Sequence, residues 1–544
     1  MLKKTIFLLC IIVTDVYVSA KTRTWAEKQT LALKILSNKT KTRAENTQLT
    51  ELYSNTILSV VGNSDCGFVV VSNRDEWQPI LGYSETSFKE DEIPEGLQWW
   101  INAITESMSN VSNSYTASDL LNSTRSFEPE VAPLIASTWN QSNPYNYLCP
   151  TTAKGGKYPS GCVATALSQI MNYHRYPMHG KGSYSYVFRP DDATAQQLTA
   201  NFEETYYDWD NMLDNYSKGY NDAQRDAVAT LMSHCGISVQ MAYTTSGSGA
   251  YAVEATNALR NYFRYNENVR LCYRDYYSTE LWLQILYTEL NNKRPVYYKG
   301  QSNSGGHAFI IDGYNSEGLV HVNWGWGGKN DGFYEIALLN PSGEMYSRYQ
   351  GMITNICSPD VEIAYESQLA SDGLSINLYG SATKRLSLSA KVYEVGAEKF
   401  KGTVAAILQN NDTTIVAKKQ EEVELFPADL GFQQGVDIAL RSIDITNIPD
   451  GSYRVFMGCK TDKDNKWQLV RTLEGKTNSC ILEKTGSDFS FTEIADDIWT
   501  GISSVKTNTN YSNRIYNLQG RNMGTDLNAL PRGIYIIGGK KVGK

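Results

Sequence analysis

The stretch Pro159-Ser160-Gly161-Cys162-Val163-Ala164-Thr165-Ala166-Leu167-Ser168-Gln169-Ile170-Met171-Asn172-Tyr173 decides how this chain is read. From Val163 onward, Val163, Ala166, Leu167, Ile170 and Met171 recur at helical spacing, which gives an amphipathic helix one apolar face. Ser160 is the expected N-cap, and Gly161 lets the backbone turn tightly beside a ligand. Cys162 then falls in the first helical turn. There the helix end carries roughly half a positive charge, which favours a thiolate. The same pattern also suits a buried structural cysteine, so the rest of the chain must supply a partner.

A thiolate nucleophile needs a base, and the chain has five histidines. His174 lies on the cysteine helix about three turns away, out of reach. His179 follows Pro177 in a loop, His234 is expected on a helix surface, and His321 alternates within a strand. His307 opens an apolar strand after two glycines, Gly305-Gly306-His307-Ala308-Phe309-Ile310-Ile311. The next strand ends Asn323-Trp324-Gly325-Trp326-Gly327-Gly328, where Asn323 can accept from the imidazole and Trp324 and Trp326 can shield it. Upstream, Gln141 can serve as an oxyanion donor. Whether Asn323 or a neighbouring tryptophan holds His307 stays open at this point.

The order Gln141, Ser160-Gly161-Cys162-Val163-Ala164, Gly305-Gly306-His307-Ala308 and Asn323-Trp324-Gly325-Trp326 resembles the streptopain-type cysteine proteases of the papain-like clan. The resemblance covers roughly residues 21–357. It implies an α+β fold, a papain-like two-subdomain catalytic domain in which a helix packs against a twisted antiparallel sheet, with the site between the halves. It implies an inhibitory prosegment and an endopeptidase that favours a hydrophobic residue two positions before the cleaved bond. The site residues it implies are Cys162, His307, Gln141, Asn323 and Trp324, with Gly161, Gly306, Trp326, Ser246 and Gly247 lining the substrate side. The last two sit in the loop Thr244-Thr245-Ser246-Gly247-Ser248-Gly249-Ala250. No cofactor and no metal are implied. The partners are protein substrates and the chain's own prosegment.

The chain around this unit is long, 544 residues, enough for three or four domains. Residues 1–20 read as a signal peptide: Lys3 and Lys4, an apolar run Thr5–Val13, then Val18-Ser19-Ala20. Residues 21–125 form the α+β prosegment, with a helix from Trp25, a strand pair around Leu58–Val61 and Gly67–Val71, and a helix after Pro94. A Ser/Asn/Thr-rich linker at 107–126 follows, and the catalytic domain spans 126–357. Residues 360–495 alternate as a β-sandwich does, and 500–544 make a small β-unit with a basic end. That last unit resembles the sorting domains with which Bacteroidetes-type bacteria export proteins across the outer membrane. The expected location is secreted or on the outer-membrane surface.

A net charge of −8 without a basic run argues against nucleic-acid binding. After the signal, no apolar run is long enough for an integral membrane segment. The nine cysteines are scattered without a CxxC pair, and Cys459 with Cys480 is a candidate disulfide. Two other readings fit parts of the chain: a surface adhesin with a degenerate protease domain, and a transglutaminase or amidase of the same clan.

Overall fold

A computed structural model describes residues 21–39, 48–63, 67–75, 77–109, 127–190, 194–302, 305–339, 350–410, 415–427, 435–464 and 466–495, plus four short strands between 515 and 543. Residues 1–20, read above as a signal peptide, and the 110–126 part of the linker lie outside the described residues. The chain divides into two compact units, Met1–Glu90 and Asp91–Lys544.

In the first unit, helix α1 (Trp25–Lys39) starts at a capping box. The Thr24 hydroxyl accepts from Glu27 N–H, and the Glu27 carboxylate accepts from Thr24 N–H. Four strands follow as an antiparallel meander: β1 (Thr50–Ser54), β2 (Leu58–Asn63), β3 (Gly67–Ser72) and β4 (Ile80–Ser84). β2 and β3 are the strand pair read from the sequence. Their β-branched runs are buried on both faces, and α1 lies over the sheet. β1 and β4 went unread, since Thr50-Glu51-Leu52-Tyr53 and Ile80-Leu81-Gly82-Tyr83 lack a sustained alternation.

The second unit opens with helix α2 (Glu95–Ser109), entered through Pro94. Helix α3 (Cys162–His174) is central and almost wholly buried along Val163–Met171. Ser160 does not cap it. Gly161 does, at φ +90, a conformation that side chains disfavour, while the Ser160 hydroxyl turns back to the Gln141 carbonyl. A hairpin, β5 (Ser183–Phe188) with β6 (Gln196–Asn201), and helices α4 (Asp222–Ser238) and α5 (Ala252–Asn261) complete the helical half. Beyond β7 (Arg270–Tyr273) and helix α6 (Thr279–Asn291), the sheet strands are β8 (Val296–Ser302), β9 (Gly305–Tyr314), β10 (Val320–Asn323), β11 (Gly332–Tyr334) and β12 (Gly351–Thr354). They pair antiparallel in the order β11-β10-β9-β8-β12-β7. One core joins α3 and α4 to the sheet: Leu167, Ile170, Leu231 and Met232 share it with Tyr297, Ala308 and Ile310. This is the helix-against-antiparallel-sheet arrangement of a papain-like α+β domain.

Downstream, two sheets enclose a second core. Strands Ser375–Tyr379, Arg385–Glu394 and Val436–Asp444 belong to one, and Phe400–Gln409, Gly451–Lys460 and Ser479–Thr485 to the other. Leu388 and Leu440 from the first meet Val404, Val455 and Leu482 from the second, a β-sandwich. Cys459 and Cys480 are both free thiols inside it, so the candidate disulfide is absent. Near the C-terminus, Ile515–Asn517, Asn522–Gly524, Ile534–Ile537 and Lys540–Gly543 form a four-stranded antiparallel sheet. Among the described residues, no helix is long and apolar enough to cross a membrane.

Candidate active site

Cys162 begins α3, and its side chain meets the start of β9. The backbone N–H groups of Ala308, Val163 and Cys162 itself pull the pKa of its thiol down. These donors favour a thiolate, but burial outweighs them and pushes the thiol up to about 11, helped by the nearby Glu95 carboxylate. His307 precedes Ala308 on β9. Its Nε2 lies 3.0 Å from the Trp324 carbonyl, and its buried Nδ1 has no hydrogen-bond partner among the described residues. Burial lowers its pKa, against the pull of the Trp324 carbonyl and of Glu95. Burial thus disfavours the charged form of both groups in this covered arrangement.

Asn323 does not hold the imidazole; the Trp324 carbonyl does. The Asn323 side chain instead donates to Ser137 O (2.9 Å), accepts from Gly325 N–H (3.0 Å) and from Gln169 Nε2 (3.2 Å). Gln169 is fully buried on α3, and its Oε1 also accepts from Trp139 N–H and the Ser137 hydroxyl. This amide pair ties the cysteine helix to the strand end beside His307. Trp324 is fixed in turn: its N–H donates to Asp331 Oδ1 and its indole to the Asn330 carbonyl, both at 2.9 Å. Reading the sequence missed Gln169 and Asp331. Gln169 falls outside the apolar face that Val163, Ala166, Leu167, Ile170 and Met171 define, so its spacing carries no signal of burial.

Gln141 is buried beside the cysteine turn, and its carbonyl accepts from Ser160 N–H. The loop with Ser246 and Gly247 is exposed at its tip and pinned at its base, where the Ser248 hydroxyl donates to Pro159 O (2.7 Å). A Cβ on Gly161 would come 2.7 Å from Ser248 O, so loop and nucleophile turn are close neighbours. Gly306 is exposed and pairs with Gln301 at the head of β9. Trp326 is half-buried, and its indole N–H has no hydrogen-bond partner among the described residues. The other histidines are elsewhere. His234 is half-buried on α4, where it bonds Tyr207 at 3.0 Å and burial lowers it to about 4. His174 is likewise lowered to about 4 by burial, and His321 bonds Asp312 at 2.6 Å.

Helix α2 closes the site from above. Glu95 Oε2 is 3.9 Å from His307 Nδ1. A Cβ on Gly96 would fall 2.5 Å from both the His307 ring and the Trp324 indole. Trp100 donates to the Glu335 carbonyl at 2.7 Å, which anchors the next turn.

Streptopain of Streptococcus pyogenes is 35% identical over 291 residues, 51% of this chain and 73% of that protein. The peptidase C10 family model matches residues 139–334. The chain belongs to the peptidase C10 family. As a C10 peptidase it is a cysteine endopeptidase acting on proteins. A second family model, the Spi protease inhibitor, matches residues 17–108, a prosegment-like region ahead of the peptidase. A thiol protease/hemagglutinin, PrtT of Porphyromonas gingivalis, is 33% identical over 459 residues, 79% of this chain, which spans about half of PrtT (51%). The solved prointerpain A fragment of Prevotella intermedia superposes with a TM-score of 0.52 at 39% identity, covering 57% of this chain and 99% of that one. Gln141, Cys162, His307, Asn323 and Trp324 all lie within the matched residues 139–334.

Proposed function

We propose that this C10 peptidase is made as an exported, latent precursor in which Cys162 is the nucleophile, His307 the general base, and α2 the cover. The observation that carries the reading is the head of β9: Cys162 packs against the core that includes Ala308, while the neighbour of Ala308, His307, lies under Gly96. With α2 gone, the imidazole is free to turn toward the thiol and take its proton. The thiolate then attacks the peptide carbonyl. The Cys162 N–H and the Gln141 side chain stabilise the oxyanion, and His307 protonates the leaving amine before water frees the acyl group. Trp324 acts through its carbonyl and Asn323 by bracing the strand end. Gly161, Gly306, Trp326, Ser246 and Gly247 border the substrate.

Residues 1–20 are read as the export signal, 21–125 as the prosegment, 126–357 as the catalytic domain, 360–495 as an accessory sandwich and 500–544 as a sorting domain. The Ser/Asn/Thr-rich linker is where the precursor is cut. A purified Cys162→Ala precursor treated with a trace of active enzyme should be trimmed within 107–126, as N-terminal sequencing reads out. A precursor as active on casein as the trimmed form would overturn the latency. Deleting 500–544 should leave purified activity intact and hold the enzyme in the periplasm; unchanged fractionation would make that segment structural only.

A further inference from the structure

Helix α2 carries a bulky side chain at the place where part of a substrate must later lie. Trp99, one turn after Gly96, is only 6% exposed. Its indole rests on the bare backbone of Gly300, where a Cβ would come within 2.2 Å of ring atoms Cε2 and Cζ2. Gly300 and His307 are direct cross-strand partners on β8 and β9. Directly opposed residues of an antiparallel pair face the same side of the sheet. Phe309, two residues along β9, shares that side, and its ring lies 5.9 Å from that of Trp99. The Phe309 ring is also stacked 6.4 Å from His307 and packs 4.8 Å from Trp324. The result is a trough with Gly300 and Phe309 as floor and His307 and Trp324 at one end.

The imidazole tells which part of a substrate passes there. The acyl half of the cleaved bond stays on Cys162, whereas the leaving amine receives its proton from His307. Chain beyond His307 is therefore the leaving-group side. A glycine inside a strand forgoes packing and marks a spot where another group approaches closely. Here that group is an indole.

We infer that this trough is a subsite for an aromatic side chain at the first or second residue after the cleaved bond, with Gly300 setting its depth and Trp99 occupying it in the precursor. The inference rests on the reading of Cys162 and His307 as the catalytic pair. The trimmed enzyme from the full chain is given quenched fluorogenic peptides identical up to the cleaved bond, with Ala, Leu, Phe or Trp at the first two positions after it. A Phe or Trp at one of these positions should raise kcat/KM about tenfold or more over Ala, as burial of a large ring allows. In Gly300→Ala and Gly300→Val the aromatic-to-alanine ratio should fall toward one. A flat wild-type series overturns the inference and leaves Trp99 as a lock only, and it does so even if the glycine variants fail to fold. Trimmed enzyme inactive on casein would instead overturn the catalytic assignment on which the inference rests.

Discussion

Replacing Gly96 by alanine in the precursor should unseat α2. The new Cβ would stand 2.5 Å from His307 Cδ2 and 2.5 Å from Trp324 Cε3. Carbon atoms rest at about 3.5–4.0 Å, so something must give by about 1 Å. Neither ring can yield cheaply. Trp324 is fully buried with its indole bonded to Asn330, and His307 is held by the Trp324 carbonyl. The helix is the part that moves. Overpacking of this kind costs about 1–3 kcal/mol, which raises the open fraction of the helix by about 5- to 150-fold. The assay is a brief pulse of iodoacetamide on intact precursor, with alkylation of Cys162 read by mass spectrometry. Where closing outpaces labelling, the rate follows the open fraction. The variant should therefore label faster by that factor. Asn102→Ala, on the exposed side of the same helix, should label like wild type. Equal labelling of Gly96→Ala and wild type would refute the idea that α2 covers the thiol through this contact.

Cys162→Ala and His307→Ala should each lose at least about 10³-fold in casein hydrolysis, whereas His179→Ala stays active; substantial hydrolysis by either of the first two sinks the assignment. Gln141→Ala should lower kcat by about 10²–10³-fold with little change in KM, and full turnover would make it a turn residue. Asn323→Ala strips the Ser137, Gln169 and Gly325 contacts and should cost about 1–3 kcal/mol, seen as a lower Tm; an unchanged Tm removes its bracing role. The sandwich edge supplies a pH test. Burial raises the Glu394 carboxyl to about 8, with Glu398 adding to the shift and Arg260 opposing it. A carboxyl raised in the fold stabilises most below its unfolded pKa, and the effect is lost as pH climbs through about 8. Tm should thus fall between about pH 5.5 and about pH 8.5, and Glu394→Gln should flatten that fall.

The local elements nearest the chemistry were legible because their signals are local. The 3.6-residue recurrence after Cys162 predicts α3, and the β-branched runs at Leu58 and Gly67 predict β2 and β3, as found. The alternation through 360–495 likewise predicts the sandwich, because one face of each strand must be dry. Residue types also restricted the chemistry: five histidines and one cysteine at a helix start leave few pairings.

What the sequence by itself determined, then, was which side chains carry reactive atoms and which periodicities bury them. The tertiary structure alone decided what those atoms touch. A backbone carbonyl belongs to every residue, so no reading of residue types distinguishes the Trp324 carbonyl as the partner of His307. The Gln169–Asn323 amide pair joins positions 154 residues apart, and only packing of α3 on the sheet brings them within 3.2 Å. Gly96 and Gly300 look like ordinary glycines in sequence. Their meaning arises because His307 and Trp324 fill the space over one, and Trp99 fills the space over the other. The ionisation of Cys162 follows the same rule. A helix N-terminus favours the thiolate, yet desolvation by the surrounding chain, with the Glu95 carboxylate adding to it, raises the pKa of the thiol.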